Sequence, residues 1–263
     1  MSFALVVVTA SGALLAWTLL GFPLLLCLRA RLRPRPLRCT LLLRPRVSLL
    51  ICAYDEASSI GRKLENALAQ GLPRERLEIL VASDGSSDGT DEIVRGFAGQ
   101  GVRLLALPRR GKIATLNDAV AHAAGEILVF SDANSMLAPG ALEALLAPFG
   151  DPEVGAVAGD QRYRRERAAG EQSDAERLYW DSDRQLKHWQ SAAGSATSAT
   201  GALHAIRREL CLPVPPGVTD DFFVSTAAIC RGRRLVFAAD AVAIEAPAAS
   251  SRAELGRKQR VMT

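Results

Sequence analysis

The sequence offers no paired cysteines. Its five, Cys27, Cys39, Cys52, Cys211 and Cys230, are scattered, and no two stand as C-x-x-C. That argues against a zinc site and against a disulfide framework. Cys27 falls in an apolar run and Cys52 at the end of another, where cysteine behaves as a small hydrophobe. A G-x-x-x-x-G-K-[ST] loop is missing, and so is a G-x-G-x-x-G turn, which removes the signatures of a P-loop and of a dinucleotide site. There is no internal repeat. Acidic side chains are absent from residues 1–46, which hold seven arginines. The formal net charge of +4 therefore belongs to that flank, and the other 217 residues carry −3. A slightly acidic body is a poor polyanion binder, so no nucleic acid polymer is expected as a partner.

What is present begins with a membrane signal. Residues 2–28 carry no charged side chain and are rich in Leu, Val and Ala. At 1.5 Å per residue such a helix crosses a hydrocarbon core of about 30 Å. Residues 1–28 are thus expected to form a single transmembrane anchor. The Arg/Pro-rich stretch 29–46 follows as a linker, and its arginines predict that the body lies on the cytoplasmic side of the inner membrane. A cleaved signal peptide fits less well, because the charges lie after the apolar run and no small-x-small cleavage site follows.

From Val47 onward the pattern alternates. Apolar runs at 47–52, 77–82, 102–107, 126–131 and 154–158 read as buried strands. Between them lie amphipathic stretches: one bears Ile60, Leu64 and Ala67, one bears Ile93 and Phe97 with Asp88 able to cap it, and one spans 113–124. Pro139 suits the first turn of a further helix, and 174–190, with Trp180 and Trp189, reads as another. Alternation with short links predicts an α/β fold with a mainly parallel sheet covered on both faces. Ligands in such sheets collect at the carboxyl ends of the strands. Four polar clusters fall there: Ala53-Tyr54-Asp55-Glu56, then Ser83-Asp84 through Thr90, then Arg110-Gly111-Lys112, then Asp132-Ala133-Asn134.

Each cluster has a chemistry and an ordinary alternative. Asp84 can accept from a nucleobase N–H, or simply begin a turn. Lys112 can pair with phosphate, or be solvated. Asp132 and Asn134 offer two hard oxygen donors suited to Mg²⁺ or Mn²⁺ that keeps open positions for phosphates; Asp and Asn also start turns. Asp220 and Asp221, ahead of an apolar helical stretch 222–229, either favour the helix dipole or supply a general base. Arg257-Lys258-Gln259-Arg260 can neutralise a diphosphate or be a solvated end.

The order of these elements resembles family 2 glycosyltransferases, inverting enzymes with the nucleotide-sugar-binding GT-A fold, over residues 47–260. Tyr54, Asp55 and Glu56 are similar to the family's opening A-Y-N-E element, with Asp55 where Asn is usual. Asp84 matches its nucleotide-binding aspartate and Lys112 its G-K element. Asp132 matches the first acid of the metal-binding D-x-D, and Asn134 stands in place of the second. Thr200-Gly201-Ala202 through Arg207 resembles the acceptor-side segment. Asp221 matches the expected base, with Asp220 in place of the preceding Glu. Arg260 matches the arginine of Q-x-x-R-W, with Arg257 for Gln and Val261 for Trp. The resemblance implies a catalytic domain over 47–263, a nucleotide-sugar donor with UDP as the default, Mg²⁺ or Mn²⁺, and a carbohydrate or lipid-linked acceptor. Arg257 and Arg260 would stabilise the departing diphosphate. Membrane-bound relatives continue past this point into further transmembrane helices, so a form truncated at the C-terminus is one reading of the end at Thr263. Two other functions remain open: a non-catalytic membrane-bound partner of such an enzyme, and a sugar nucleotidyltransferase.

Overall fold

A computed structural model describes residues 2–38, 44–163 and 174–245. The chain divides into two compact units, Met1–Pro36 with Glu171–Ala196, and Leu37–Gly170 with Thr197–Thr263.

The first unit is helical. α1 (Phe3–Ala16), a wider π turn (Trp17–Gly21) and α2 (Phe22–Leu32) form one 30-residue apolar helix, long and apolar enough to cross a membrane. It spans about 45 Å at the helical rise. The helix runs past the expected end at residue 28 and takes Arg29 and Arg31 into its last turn, where cations complement the helix dipole. Within the same unit the 20-residue helix Asp174–Ala193 packs on α2, and the Arg35 N–H donates to the Ala192 carbonyl at 2.8 Å. Trp180 meets the neighbouring Tyr179 edge to face.

The second unit is a sheet with helices. In chain order it holds β1 (Val47–Ala53), α3 (Ile60–Leu68), β2 (Leu77–Asp84), α4 (Thr90–Gly96), β3 (Val102–Leu107), α5 (Lys112–His122), β4 (Ile127–Phe130), β5 (Ser135–Leu137), α6 (Ala141–Leu146), β6 (Val154–Tyr163), β7 (His204–Arg207), α8 (Asp220–Cys230) and β8 (Arg234–Glu245); Asp174–Ala193 of the first unit is α7. The sheet order is β3-β2-β1-β4-β7-β6-β8-β5. β3, β2, β1 and β4 run parallel, as do β6 and β8, while β7 is antiparallel to both β4 and β6, and β5 to β8. The sheet is therefore mixed; the apolar runs correspond to β1, β2, β3, β4 and β6. β5, β7 and β8 are additions to that reading. Two helix starts also differ: α4 is preceded by Gly89, with Asp88 one residue earlier accepting from the Thr90 N–H at 3.0 Å, and α6 begins at Ala141, two residues after Pro139.

β1 is buried along nearly its whole length because helices cover both faces. α3 turns Ile60, Leu64 and Ala67 inward against Leu49, Ile51 and Ile79. Burying each large aliphatic side chain here stabilises the fold by about 1.5–3 kcal/mol. Strand order reverses at β1, which has β2 on one side and β4 on the other. The crevice at the carboxyl ends of β1 and β4 is thus the switch point where ligands bind in such sheets. Because β7 is antiparallel to β4, its first residue, His204, pairs with the last of β4, Phe130. That register delivers the segment Thr200–Leu203 to the same edge.

Candidate active site

The β1–α3 loop is built against the β2–α4 loop. The Ser87 N–H donates to Asp55 Oδ1 (2.8 Å), the Glu56 N–H to Thr90 Oγ1 (2.8 Å), and the Ala57 N–H to Asp88 Oδ2 (2.9 Å). Asp55 sits in the left-handed region at φ 52, a conformation Asn and Asp tolerate better than most residues. Glu56 also accepts from the Ser59 hydroxyl. Asp55 and Glu56 therefore fasten two loops together, and Tyr54 is left exposed between them. The Arg109 guanidinium lies over the Tyr54 ring, 3.4 Å from its centroid.

Asp84 closes β2 and is almost wholly buried. Its carboxylate is taken up by protein donors: Arg109 Nη1 at 2.6 Å, the Arg110 N–H at 2.7 Å and the Gly111 N–H at 2.9 Å. The turn that follows needs glycine. Gly85 has φ +69, and a Cβ there would lie 2.8 Å from the Arg109 nitrogen. Asp84 thus shapes the β3–α5 loop, and Arg109, which the sequence reading passed over, is its direct partner. Asp84→Ala is expected to remove the charge-assisted hydrogen bonds that its buried carboxylate accepts from this loop, at a cost of about 1.5–3 kcal/mol. Thermal melting should fall by about 2–4 °C per kcal/mol. An unchanged melting temperature would mean that Arg109 and the loop hold themselves.

The acids and one lysine meet beyond this loop. Lys112 opens α5, and its Nζ lies 2.9 Å from Asp220 Oδ2 and 3.7 Å from Asp132 Oδ1. Burial works against the Lys112 charge, but Asp132 and Asp220 more than offset it and raise its pKa above the ordinary value. Burial likewise raises Asp220, yet Lys112 holds its carboxyl below the usual range. Asp220 and Asp221 form the first turn of α8, and the Phe222 N–H donates to Asp221 Oδ1 at 2.7 Å.

Gly201 is the point on which the carboxylates converge. A Cβ there would lie 3.2 Å from Asp132 Oδ2 and 3.7 Å from Asp221 Oδ2. Glycine leaves open a small space faced by two carboxylates that are 89 residues apart in sequence. Beneath it, His204 is buried and stacked on Phe130 with ring centroids 4.9 Å apart. Its Nδ1 faces the Thr200 carbonyl at 3.1 Å, and its buried Nε2 has no partner. Burial lowers the His204 pKa, while Asp221, Asp220 and Asp132 pull the other way. Cys52 also lies near, but burial pushes its thiol up to about 12, which makes it inert.

Among the described residues no three His, Cys, Asp or Glu side chains are grouped to hold a metal alone. A protein cage is not what Mg²⁺ or Mn²⁺ needs here. Such ions are often held by one or two carboxylates and completed by phosphates and water. The opening at Gly201, with Asp132 Oδ2 at its edge, fits that donor set. Asn134 is exposed in the turn after Asp132. The structure thus brings Lys112, Asp132, Asp220 and Asp221 together, with Tyr54 and Asp84 on the neighbouring strand ends. Arg257 and Arg260 lie outside the described residues. Gly201 and His204 fall in the segment 200–207 that resembles the family's acceptor side, and the structure gives each its particular place; Arg109 joins the site unforeseen, its one local signal being that it is the first of two arginines before Gly111-Lys112.

Known proteins carry the same architecture. The sequence pattern of the family described as Glycosyl transferase family 2 matches residues 48–212. Poly-beta-1,6-N-acetyl-D-glucosamine synthase from Staphylococcus aureus (strain COL) is 27% identical over 199 residues, 73% of this chain and 47% of that protein. The chain spans about half the length of the curated relatives it matches. The mannosyltransferase PcManGT from Pyrobaculum calidifontis, solved in complex with GDP-Man and Mn2+, is 31% identical with TM-score 0.74, covering 95% of this chain and 71% of that one. S. aureus TarS 1-349, solved in complex with UDP-GlcNAc, shares the fold at 16% identity and TM-score 0.60, covering 80% of this chain and 60% of that one.

Proposed function

The chain belongs to glycosyl transferase family 2, and from that membership we propose that it moves a sugar from a nucleoside diphosphate donor to an acceptor hydroxyl, with inversion at the anomeric carbon. The observation that carries the reading is the convergence of Asp132 and Asp221 on Gly201, with Lys112 joined to Asp220 and near Asp132. An ammonium, and a carboxylate that can hold a divalent cation, beside one opening suit a charged diphosphate. A second carboxylate in the same opening suits a reacting hydroxyl.

In this reading Tyr54 and the Asp84–Gly111 loop receive the nucleotide. Asp132, with Asn134, holds a divalent cation, Mg²⁺ or Mn²⁺; when bound, that ion neutralises charge on the diphosphate. Mn2+ in the complex of the 31% identical mannosyltransferase supports the choice. Lys112 supplies further positive charge to the departing group. Asp221 takes the acceptor's proton as its oxygen attacks the anomeric carbon and the bond to the diphosphate breaks. A single displacement inverts that carbon and requires no covalent sugar intermediate. Arg257 and Arg260 are proposed to add charge on the diphosphate side. GDP-Man and UDP-GlcNAc in the neighbours, and the polymer named for the curated relative, support a hexose donor and a carbohydrate or lipid-linked acceptor. The family match leaves the nucleotidyltransferase reading without support.

The test is a screen of UDP- and GDP-linked sugars with Mn²⁺ or Mg²⁺, reading release of the nucleoside diphosphate. Metal-dependent release from at least one donor is expected. No release from any donor, with protein that retains its first helix, would overturn the reading in favour of a non-catalytic partner.

We also propose that Phe3–Leu32 anchors the chain in the inner membrane and that residues 47–263 face the cytoplasm, because the arginines follow the span. A green fluorescent reporter fused after Thr263 is expected to shine, and an alkaline phosphatase fused there to stay inactive. The reverse pair of results would invert the topology.

A further inference from the structure

α3 carries one side chain that the mechanism does not use and the core does not explain. Lys63 is fully buried. It sits on the inward face with Ile60, Leu64 and Ala67, where another aliphatic residue would serve packing better. Its ammonium donates to Ser131 Oγ at 2.6 Å and to the Ser135 carbonyl. These two residues bracket Asp132-Ala133-Asn134. Ser131 Oγ in turn donates to the Ala202 carbonyl at 2.8 Å, one residue beyond Gly201. Ser135 Oγ donates to the buried Glu245 at 2.6 Å.

The helix and the turn after it continue the grip. Asn66 donates to the Leu137 carbonyl at 2.9 Å and accepts from the Leu137 N–H at 2.7 Å. Gln70 reaches the Leu137 carbonyl and the Leu142 N–H, both at 3.4 Å. Lys63 and Asn66, three residues apart, lie on one face of α3, and Gln70 follows in the turn just past the helix end. β5 is only three residues long, and these side chains hold much of its backbone.

We propose that Lys63 is a positioning residue for the cation and diphosphate site: it ties the Asp132–Asn134 turn and the Gly201 segment into one fixed spacing through Ser131. The inference rests on the proposed metal role of Asp132. A buried ammonium is a poor choice for stability alone, since an apolar side chain of similar volume is often as stable or more so. Burial lowers the Lys63 pKa to about 7, with Asp132 and Glu245 pulling it back, which is the mark of that cost. What the ammonium adds is direction. It has three donors, and two of them fix the ends of a turn whose middle must hold a carboxylate in place. Lys63 touches neither donor nor acceptor.

The experiment uses the full chain and three variants, Lys63→Met, Ser131→Ala and Asp132→Asn. Mn²⁺ binding is followed by electron paramagnetic resonance with UDP or GDP present, and thermal melting is recorded alongside. Lys63→Met keeps length and volume without charge, and is expected to melt within a few degrees of the parent or above it. It should weaken Mn²⁺ binding by about 10- to 100-fold, the usual effect of losing a group that orients a ligand. Its activity should be partly recovered by raising Mn²⁺, a shift in KM for the ion rather than in the limiting rate. Ser131→Ala, which leaves Lys63 in place and removes the tie, should move Mn²⁺ affinity in the same direction by less. If Lys63→Met fails to fold, Ser131→Ala decides. Parent-like Mn²⁺ affinity in the decisive variant, with Asp132→Asn impaired, would overturn the positioning role alone. Parent-like Mn²⁺ affinity in Asp132→Asn would overturn the metal role and this inference with it.

Discussion

Asp221→Asn is expected to keep donor affinity and to lose sugar transfer by about 10²–10⁴-fold, the usual cost of removing a general base. The substitution is nearly isosteric, and the Phe222 N–H can still donate to the amide oxygen as it does to Asp221 Oδ1. What disappears is the charge of the oxygen that faces the Gly201 opening. Asp220→Asn is the matched control, since the same charge is removed from the adjoining residue. Its effect should differ in kind. Asp220 is the near partner of Lys112 at 2.9 Å, whereas Asp132 is 3.7 Å away. Losing Asp220 frees Lys112 to lean toward Asp132, so the change should fall on donor KM, with a smaller loss in kcat. Donor Kd by calorimetry and initial transfer rates for both variants decide it. Equal, small losses would return both acids to the role of a helix-start pair favouring the α8 dipole. A larger kcat loss at Asp220 would move the base by one residue.

Much of this arrangement could be read from the chain because the parallel half of the sheet is locally encoded. β1, β2, β3 and β4 are short apolar runs, and the rule that ligands gather at their carboxyl ends puts Tyr54, Asp84, Lys112 and Asp132 on one edge from the sequence alone. The other half is encoded differently. β5 has three residues and β7 four, too few for any period to show. β8 mixes buried and half-exposed positions over its length, so its pattern breaks midway. At α4 Asp88 does meet the Thr90 N–H, across Gly89, whereas α6 starts after Gly140 with no side-chain cap and so two residues past Pro139.

The hidden parts of the site share one cause, which is that their partners are distant in sequence. Lys63 is 68 residues from Ser131 and 72 from Ser135, and a lysine in an amphipathic helix reads as solvent-facing until those acceptors are seen. Gly201 lies in a segment that resembles the family's acceptor side, but nothing local says why glycine stands there. Its meaning comes only from two carboxylates brought together by the antiparallel entry of β7 and the first turn of α8. His204 is silent for the same reason, because its stack on Phe130 is a register effect of the β4–β7 pair.

Asp132→Asn is expected to abolish metal-dependent donor binding while sparing the weaker, metal-independent binding of the nucleotide. Asparagine keeps the shape of the turn, and the Ser135 N–H still finds the residue 132 carbonyl at 3.2 Å. A neutral amide cannot supply the anionic oxygen that Mg²⁺ or Mn²⁺ favours, so the cation would be left with neutral amide oxygens, phosphates and water. Lys112 would then pair only with Asp220, and the diphosphate would lose the charge of the cation. The rate should fall by at least the 10²–10³-fold typical of losing one well-placed electrostatic contact. Gly201→Ala tests the same opening from the other side. Its methyl group would stand 3.2 Å from Asp132 Oδ2, closer than ordinary contact, and must push that carboxylate aside or fill the space it faces. All the charges remain, so this variant should still melt near the parent temperature while Mn²⁺ affinity and transfer both drop. Calorimetry of UDP and GDP with and without Mn²⁺ separates the two effects. Equal affinities with and without Mn²⁺ in Gly201→Ala, together with a normal melting temperature, would show that the opening binds the ion. Parent-like metal dependence in both variants would place the ion elsewhere and leave Asp132 as no more than the partner of Lys112.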